Sequence, residues 1–416
     1  MISRSKKFAL ITLLGAATLG AQPAATPPPP APISFQDAVT HGKVSVNTRL
    51  RYEHVDQAGN ADAEALTARL RLGYTTQLHQ GFQAMIEGEA VSPLINDYYD
   101  GTGTNASNYA VIADPEKYQV NQAWLAYTSG KTKGTLGRQK IVLDNARFVG
   151  DVGWRQNDQT FDAFVLQDKS LAKTTLTYAY LDRVNRIFDG TSAQPDWDSK
   201  SHVFNASSVG LPVGTLTAYA YLMEFDTKSL AARAGVRNQS NQTYGLSLAG
   251  GRPLSTNVKA SYRFEYARQS DYGQSTLNHR SDYYLAELGA GVRTHSLALG
   301  YEVLGSDNNI GFRTPLATLH AFNGWADVFL ATPAAGLTDT YVKAGTVLPG
   351  KINLTAFYHV FGTDNGPSQL GREADLVMSY PVNKRVSLTV KGAKFWSDQA
   401  GFAARTKLWF QADVAF

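Results

Sequence analysis

The residues best equipped for chemistry in this 416-residue chain are arginines set two apart: Arg49 with Arg51, and Arg69 with Arg71. A guanidinium is a permanent cation with a planar fork of donors that matches a carboxylate two bonds at a time. Apolar residues interleave them, Leu50 in one pair and Leu70 in the other. The same spacing recurs at Arg405 and Lys407, while Lys391 and Arg263 stand in similar alternations; Glu87 and Glu89 supply the opposite charge. Side chains two apart share a face in extended chain, so these groups act together only if strands carry them.

The surrounding sequence supplies such strands. Val44, Val46, Thr48, Leu50 and Tyr52 oppose Ser45, Asn47, Arg49, Arg51 and Glu53; Leu66, Ala68, Leu70, Leu72 and Tyr74 oppose Thr67, Arg69, Arg71 and Thr75. Val258, Ala260, Tyr262, Phe264 and Tyr266 oppose Lys259, Ser261, Arg263 and Glu265, and Ile352, Leu354, Ala356, Tyr358 and Val360 oppose Asn353, Thr355 and His359. The last strand is the plainest: Thr406, Leu408, Phe410, Ala412, Val414 and Phe416 lie opposite Arg405, Lys407, Trp409, Gln411 and Asp413. An apolar face against a charged one describes a wall between oil and water. The final aromatic, Phe416, resembles the assembly signal that closes bacterial outer-membrane barrels.

The other end of the chain agrees. Arg4, Lys6 and Lys7 precede an apolar stretch from Phe8 to Gly20 that is too short to span a membrane, and small residues follow to Ala21, although Leu19 is not the small residue preferred near a cleavage site. Residues 1–21 are therefore expected to be a secretion signal, 22–42 a proline-rich disordered lead-in, and 43–416 one barrel domain. With no cysteine there is no lipid anchor, disulfide framework or thiol chemistry. Beyond the leader no apolar window of about 18 residues occurs, so helical spans are excluded. A mean hydropathy of −0.25 and 18% charged residues look soluble, but lipid-facing and lumen-facing residues cancel in a barrel's average. The net charge of +4 is too small to imply nucleic acid.

Bacterial barrels alternate short turns on one side with long loops on the other. Short turns are expected at Leu78–Gly81, Gly130–Gly134, Asp168–Ser170, Pro212–Gly214, Arg252–Leu254, Arg293–His295, Leu348–Gly350 and Pro381–Lys384. Longer loops fall near 56–63, 92–116, 141–156, 183–199, 226–239, 269–279, 305–337, 362–371 and 397–404. About eight short and nine long connections demand about eighteen strands, provided Trp325–Leu330 stays inside its loop. The fold class is thus all-β, a transmembrane antiparallel up-and-down barrel.

With polar faces inward, Arg49, Arg51, Arg69, Arg71, Arg263, Lys391, Arg405 and Lys407 enter the lumen, and Glu87 and Glu89 face them. Two readings follow: a cationic track that holds anionic solutes, or charges that pair across strands and keep the interior wet. An eighteen-strand wall leaves an aqueous channel unless loops fold in. The candidates to narrow it are 92–116, 305–337 and Asp144–Trp154, with Arg147 and Arg155.

Catalytic chemistry finds little purchase. The histidines, His41, His54, His79, His202, His279, His295, His320 and His359, show no metal-ligand spacing. Gly130-Lys131-Thr132 ends like a phosphate loop but has Leu125 where the first glycine belongs, and Asp97, Asp100 and Asp307 match no calcium loop. No enzyme, cofactor or metal is expected.

Several stretches resemble the alginate export family of outer-membrane channels: Arg49-Leu50-Arg51-Tyr52-Glu53, Leu66 to Tyr74, Gly81-Phe82 to Glu89, and Gln122-Ala123-Trp124-Leu125. More specific is Gly137-Arg138-Gln139 through Leu143-Asp144-Asn145-Ala146-Arg147-Phe148 to Trp154 to Asp162; Phe322 to Asp327 and Gly336-Leu337 follow. The resemblance spans essentially the whole mature chain. It implies a monomeric eighteen-stranded barrel whose arginine-lined constriction conducts a carboxylated polysaccharide, with Arg138, Arg147 and Arg155 added to Arg49, Arg51, Arg69 and Arg71. The expected function is passive passage of anionic solutes, alginate-like uronate polymers among them, across the outer membrane of a Gram-negative bacterium. Expected partners are outer-membrane lipid and lipopolysaccharide, an anionic oligo- or polysaccharide and the barrel assembly machinery, with no nucleic acid. The alternatives are a general diffusion porin, or a barrel scaffold for an enzyme or adhesin.

Overall fold

The alternating segments become wall strands. The computed structural model describes residues 33–102, 108–188, 195–366 and 368–416. Strands run β1 Lys43–Gln57, β2 Ala63–Thr75, β3 Phe82–Asp97, β4 Lys117–Ser129, β5 Thr132–Gln139, β6 Thr160–Asp168, β7 Thr174–Asn185, β8 Trp197–Leu211 and β9 Gly214–Met223. They continue as β10 Asn241–Pro253, β11 Val258–Asp271, β12 Arg280–Val292, β13 His295–Leu304, β14 Leu337–Leu348, β15 Ile352–Gly362, β16 Gln369–Pro381, β17 Val386–Ser397 and β18 Arg405–Ala415. Each pairs antiparallel with its sequence neighbours, and β1 pairs with both β2 and β18, which closes the cylinder. The two-residue segment Phe225–Asp226 only extends β9 against β8, so eighteen strands cross among the described residues.

The faces sort as the alternation requires. Leu50, Leu70, Leu72, Leu125, Leu136 and Phe410 are exposed on the outside, whereas Arg51, Arg69, Arg71, Lys407 and Trp409 are buried inside. A soluble barrel has the opposite sense; this exterior is burial surface for hydrocarbon, and the closed ladder leaves no unpaired edge within it. All eight short turns fall where expected, and the nine longer loops gather at the other end, which in a bacterial barrel is the extracellular one. Trp325–Leu330 lies in its loop and forms no strand.

One departure from expectation stands out. The signal segment, 1–21, and the proline run lie outside the described residues, but the lead-in does not stay irregular to residue 42: a helical turn, α1 Phe35–Thr40, is capped by Ser34 Oγ accepting the Asp37 N–H at 3.0 Å. It docks on the β2–β3 turn, where the Gln77 N–H donates to the Ala38 carbonyl at 2.9 Å and Phe35 packs edge-on against His79. The lumen, as the expectation that loops narrow it requires, is not an open water column. Loops 140–159 and 305–336 fold into it and grip each other: the Gly150 N–H donates to Leu316 O at 2.8 Å and the Thr318 N–H to Ala146 O at 3.0 Å. Their apolar residues Phe148, Val149, Phe312, Leu316 and Phe329 form a buried cluster with inward residues of the wall, including Tyr219, Tyr221 and Tyr283.

Candidate functional site

The arginines on β1 and β2 lie beneath loop 140–159 and serve as its bed. The register sets Arg49 opposite Arg69, an arrangement that like-charge repulsion alone would disfavour. Acceptors surround them instead. Arg49 donates to Asp413 at 2.8 Å and to the carbonyls of Gly153, Trp154 and Arg155 at 3.1–3.4 Å. Arg51 donates to Gln411 Oε1 and to the Trp154 carbonyl, and its guanidinium lies 4.3 Å from the Trp154 ring. Arg69 donates to Asn47 and the Gln156 carbonyl, and Arg71 to Glu89, Asp158 and the same carbonyl. Lys140 also pairs with Asp158, and Asn121 and Gln122 donate to Glu87. Of the two sequence readings of the charges, pairing across strands is present in part, in Arg49–Asp413 and Arg71–Glu89, and the remaining donors hold a loop, which neither reading named.

A second layer of ions forms where the two loops meet the wall. Arg155 reaches Asp327 at 2.8 Å, Glu53 at 3.1 Å and Asp114 at 3.7 Å; Lys407 reaches Asp327 at 2.8 Å and Glu53 at 3.3 Å. Burial opposes the charge on Arg155, but Glu53, Asp114 and Asp327 outweigh it and lift its pKa above the ordinary value. Asp327 is likewise buried, yet His320, Lys407 and Arg155 hold it well below the usual carboxylate range. His320 is driven down to about 3 by burial, with Lys391 adding to the effect and Asp327 opposing it. The neutral ring then donates through Nδ1 to Asp327 at 2.7 Å and accepts at Nε2 from Lys391 at 2.6 Å. Lys391 lies over Trp325 at 3.7 Å and Trp154 at 4.0 Å, one residue from each lumen loop. Arg405 donates to the carbonyls of Ala326 and Asp327 at 2.9 Å. Gly324, at φ 83°, makes this approach feasible, because a Cβ there would meet Glu373 Oε2 at 2.5 Å while the next N–H groups, of Trp325 and Ala326, donate to Asp375 and Glu373.

The other expected residues scatter. Arg147 is buried between Glu302 at 2.8 Å and Asn323 at 3.0 Å, and Arg263 faces the lumen across from the seam, paired with Glu265 at 2.8 Å. Arg138 is a correction. It stands opposite Ala123 and Asp162 in register, two positions from the outward Leu136, Leu125 and Phe164, so it lies on the outer face in a two-bond pair with Asp162 at 2.7 and 3.1 Å. Its place among the lumen arginines comes from the family resemblance; the alternation of β5 itself, which runs without a register shift from Leu136 to Arg138, sets it on the lipid side. Phe416 is exposed on the outside, its N–H bonded to Val46 O at 2.9 Å and its ring beneath Arg385. Asp100 accepts from the N–H and hydroxyl of Thr102, a turn rather than an ion loop.

Above the ion layer, at the long-loop end, opens a cavity of about 610 Å³. Arg155, Arg405 and Lys407 belong to its lining, as do Arg186 and Arg313, so among the described residues five cations face it against one carboxylate, Asp327. Phe188 and Trp197 form an aromatic wall beside Arg186, whose guanidinium lies 4.6 Å from the Trp197 ring. Burial pulls the Arg186 and Arg313 pKa values below the ordinary guanidinium range, Arg186 to about 10. The sequence reading did not single out Arg186 or Arg313. Both sit in long loops without periodicity, where face parity offers no signal.

Comparison with known proteins agrees with this architecture. The sequence profile of the family described as alginate export matches residues 42–305, leaving the later resembling segments at Phe322 to Leu337 outside the match. The fold is similar to that of OccAB2 from Acinetobacter baumannii (TM-score 0.70, 16% identity, 91% of this chain and 99% of that one). It is also similar to OccK9 (OpdG) from Pseudomonas aeruginosa (TM-score 0.69, 15% identity, 91% and 100%) and to OpdK from the same organism, solved with vanillate (TM-score 0.68, 12% identity, 90% and 99%). No curated protein matches the sequence.

Proposed function

Because the chain belongs to the alginate export family and folds as a porin-like barrel of the Gram-negative outer membrane, we propose that it is a passive channel favouring anionic, uronate-type solutes. The observation that carries this is the vestibule, where, among the described residues, five cationic side chains converge on one cavity with a single carboxylate. A cleft lined by one sign of charge raises the local concentration of the opposite sign and speeds its capture. At the floor, Arg155 and Lys407 already hold Glu53 and Asp327. An arriving carboxylate therefore trades places with a resident one rather than meeting bare cations. Exchange of that kind keeps the holding energy small, and a solute that is to leave again needs this.

Single-channel recording of the purified protein in planar bilayers across a KCl gradient tests the proposal. The expected reversal potential reports chloride preference, and oligouronate added on the long-loop side is expected to produce resolved current blocks. A reversal potential of the opposite sign overturns the anion preference.

A further inference from the structure

A second set of donors stands apart from the floor, against β11 and β12. Arg313 is fixed there through its backbone: its N–H donates to Gln269 Oε1 at 2.7 Å and its carbonyl accepts from Gln269 Nε2 at 2.8 Å. Gln269 is the register partner of Ser281. The small hairpin before Arg313, which pairs Ser306–Asp307 with Ile310–Gly311, runs along residues 278–280, where Asn308 donates to the Asn278 carbonyl at 2.9 Å and the Arg280 N–H to Asp307 at 2.8 Å. These contacts bring Arg313, His279 and Ser281 into one corner. Burial lowers the His279 pKa, and the Arg313 charge lowers it further.

That corner is short of acceptors. His279 and Ser281 are each 2% exposed, yet both His279 ring nitrogens, the Ser281 hydroxyl and Arg313 Nε have no hydrogen-bond partner among the described residues. Asp271 and Asp307 stand nearby but accept from the backbone N–H groups of His279 and Arg280. Four orphaned polar atoms in one place are unusual, since buried polar groups are almost always paired. Arg313 itself lines the vestibule cavity.

We infer that Arg313, His279 and Ser281 form a carboxylate subsite at the edge of the vestibule. A neutral imidazole offers one N–H, the serine its O–H and the arginine its Nε–H, three donors for the two oxygens of one carboxylate. The inference rests on the vestibule being an anion entrance, and it narrows the solute. Arg405 and Lys407 form a separate cation group in the same cavity, so a solute spanning both groups carries at least two carboxylates, as a di-uronate does.

Calorimetric titration of the full-length protein in detergent with galacturonate, digalacturonate and galactose tests this, alongside bilayer conductance in KCl. Both acids are expected to bind, the dimer more tightly, and galactose not at all. Arg313→Gln and His279→Gln are each expected to weaken galacturonate at least about ten-fold, the size of a lost charge-assisted hydrogen bond. Ser281→Ala removes one hydroxyl and is expected to weaken it several-fold, so it serves if a His279 variant does not fold. Galacturonate affinity unchanged in Arg313→Gln and Ser281→Ala overturns the subsite even where conductance stays anion-selective. Variant-sensitive binding in a barrel that prefers cations overturns the channel reading and leaves the subsite standing.

Discussion

Arg71 and Arg313 are the same residue type inside the same cylinder under opposite conditions. Arg71 lies under loop 140–159 with Glu89, Asp158 and the Gln156 carbonyl already in place. Arg313 lines the vestibule with no carboxylate at ion-pair distance among the described residues, and burial is what perturbs it. Charge type therefore does not identify a recognition residue; whether its counter-charge is already supplied does. Arg71 is structural, because two carboxylates and a carbonyl already meet it, and Arg313 is the one with capacity left to offer a solute.

Charge reversal tests this division most severely. Arg71→Glu would set a third carboxylate beside Glu89 and Asp158, both buried. Breaking a buried pair costs about 3–5 kcal/mol, and reversal costs more. The expected result is loss of the folded, heat-modifiable band on gels. A barrel that assembles normally and merely changes selectivity would mean that Arg71 faces the permeation path.

Arg155→Met comes next, since it removes the cation that Glu53, Asp114 and Asp327 all meet and leaves only Lys407 between Glu53 and Asp327. The wall does not depend on this residue, so the barrel is expected to persist while the docking of loop 305–336 weakens by about 3 kcal/mol. Faster protease cleavage in that loop, with larger and noisier conductance, would register the change. Unchanged loop protection would show that Lys407 and His320 suffice to hold Asp327.

Acid gives a milder version of the same release. His320 has its pKa at about 3 in the docked loop against an ordinary 6.5, so the released loop binds the proton more readily across that window. Docking is thus at full strength above about pH 6.5 and weakens as pH falls toward 3. At pH 5 the loss is about 2 kcal/mol, 1.5 pH units at 1.36 kcal/mol each. The lowered Asp327 pKa works in the same direction but only beneath its ordinary 3.8. Channel noise and loop cleavage are expected to rise between pH 7.5 and 5, and His320→Gln is expected to flatten that rise.

How much of this was legible in the sequence follows from what alternation can encode. Period-two patterning reports which face a side chain takes, and turn residues report where strands stop; the eighteen strands, the eight short turns and the inward facing of Arg51, Arg69, Arg71 and Lys407 all came from those two signals. Alternation carries no information on what lies above a face. That Trp154 and Gln156 would cover Arg51 and Arg71 from a loop some 85 to 105 positions later is a long-range fact with no local trace. Arg138 enters the lumen set through the family resemblance, although its own strand's alternation from Leu136 turns it outward. Arg186 and Arg313 escaped notice because an irregular loop has no period to read.

The smallest expected effect belongs to Arg405, which sits at the boundary between the two populations. Its guanidinium donates to the carbonyls of Ala326 and Asp327, as a seam arginine would, but Nε is unpartnered among the described residues and the side chain lines the vestibule. Arg405→Gln retains an amide donor for those carbonyls and removes one of five cationic charges. A single partly screened charge near water is worth about 1 kcal/mol, so the barrel is expected to fold normally and the anion-to-cation permeability ratio to fall by several-fold at most. In 1 M salt, where the Debye length is about 3 Å, the difference from the unmodified protein is expected to vanish. A shift that persists in 1 M salt, or a loop that becomes protease-sensitive, would place Arg405 with the structural arginines and reduce the vestibule's recognition set to four.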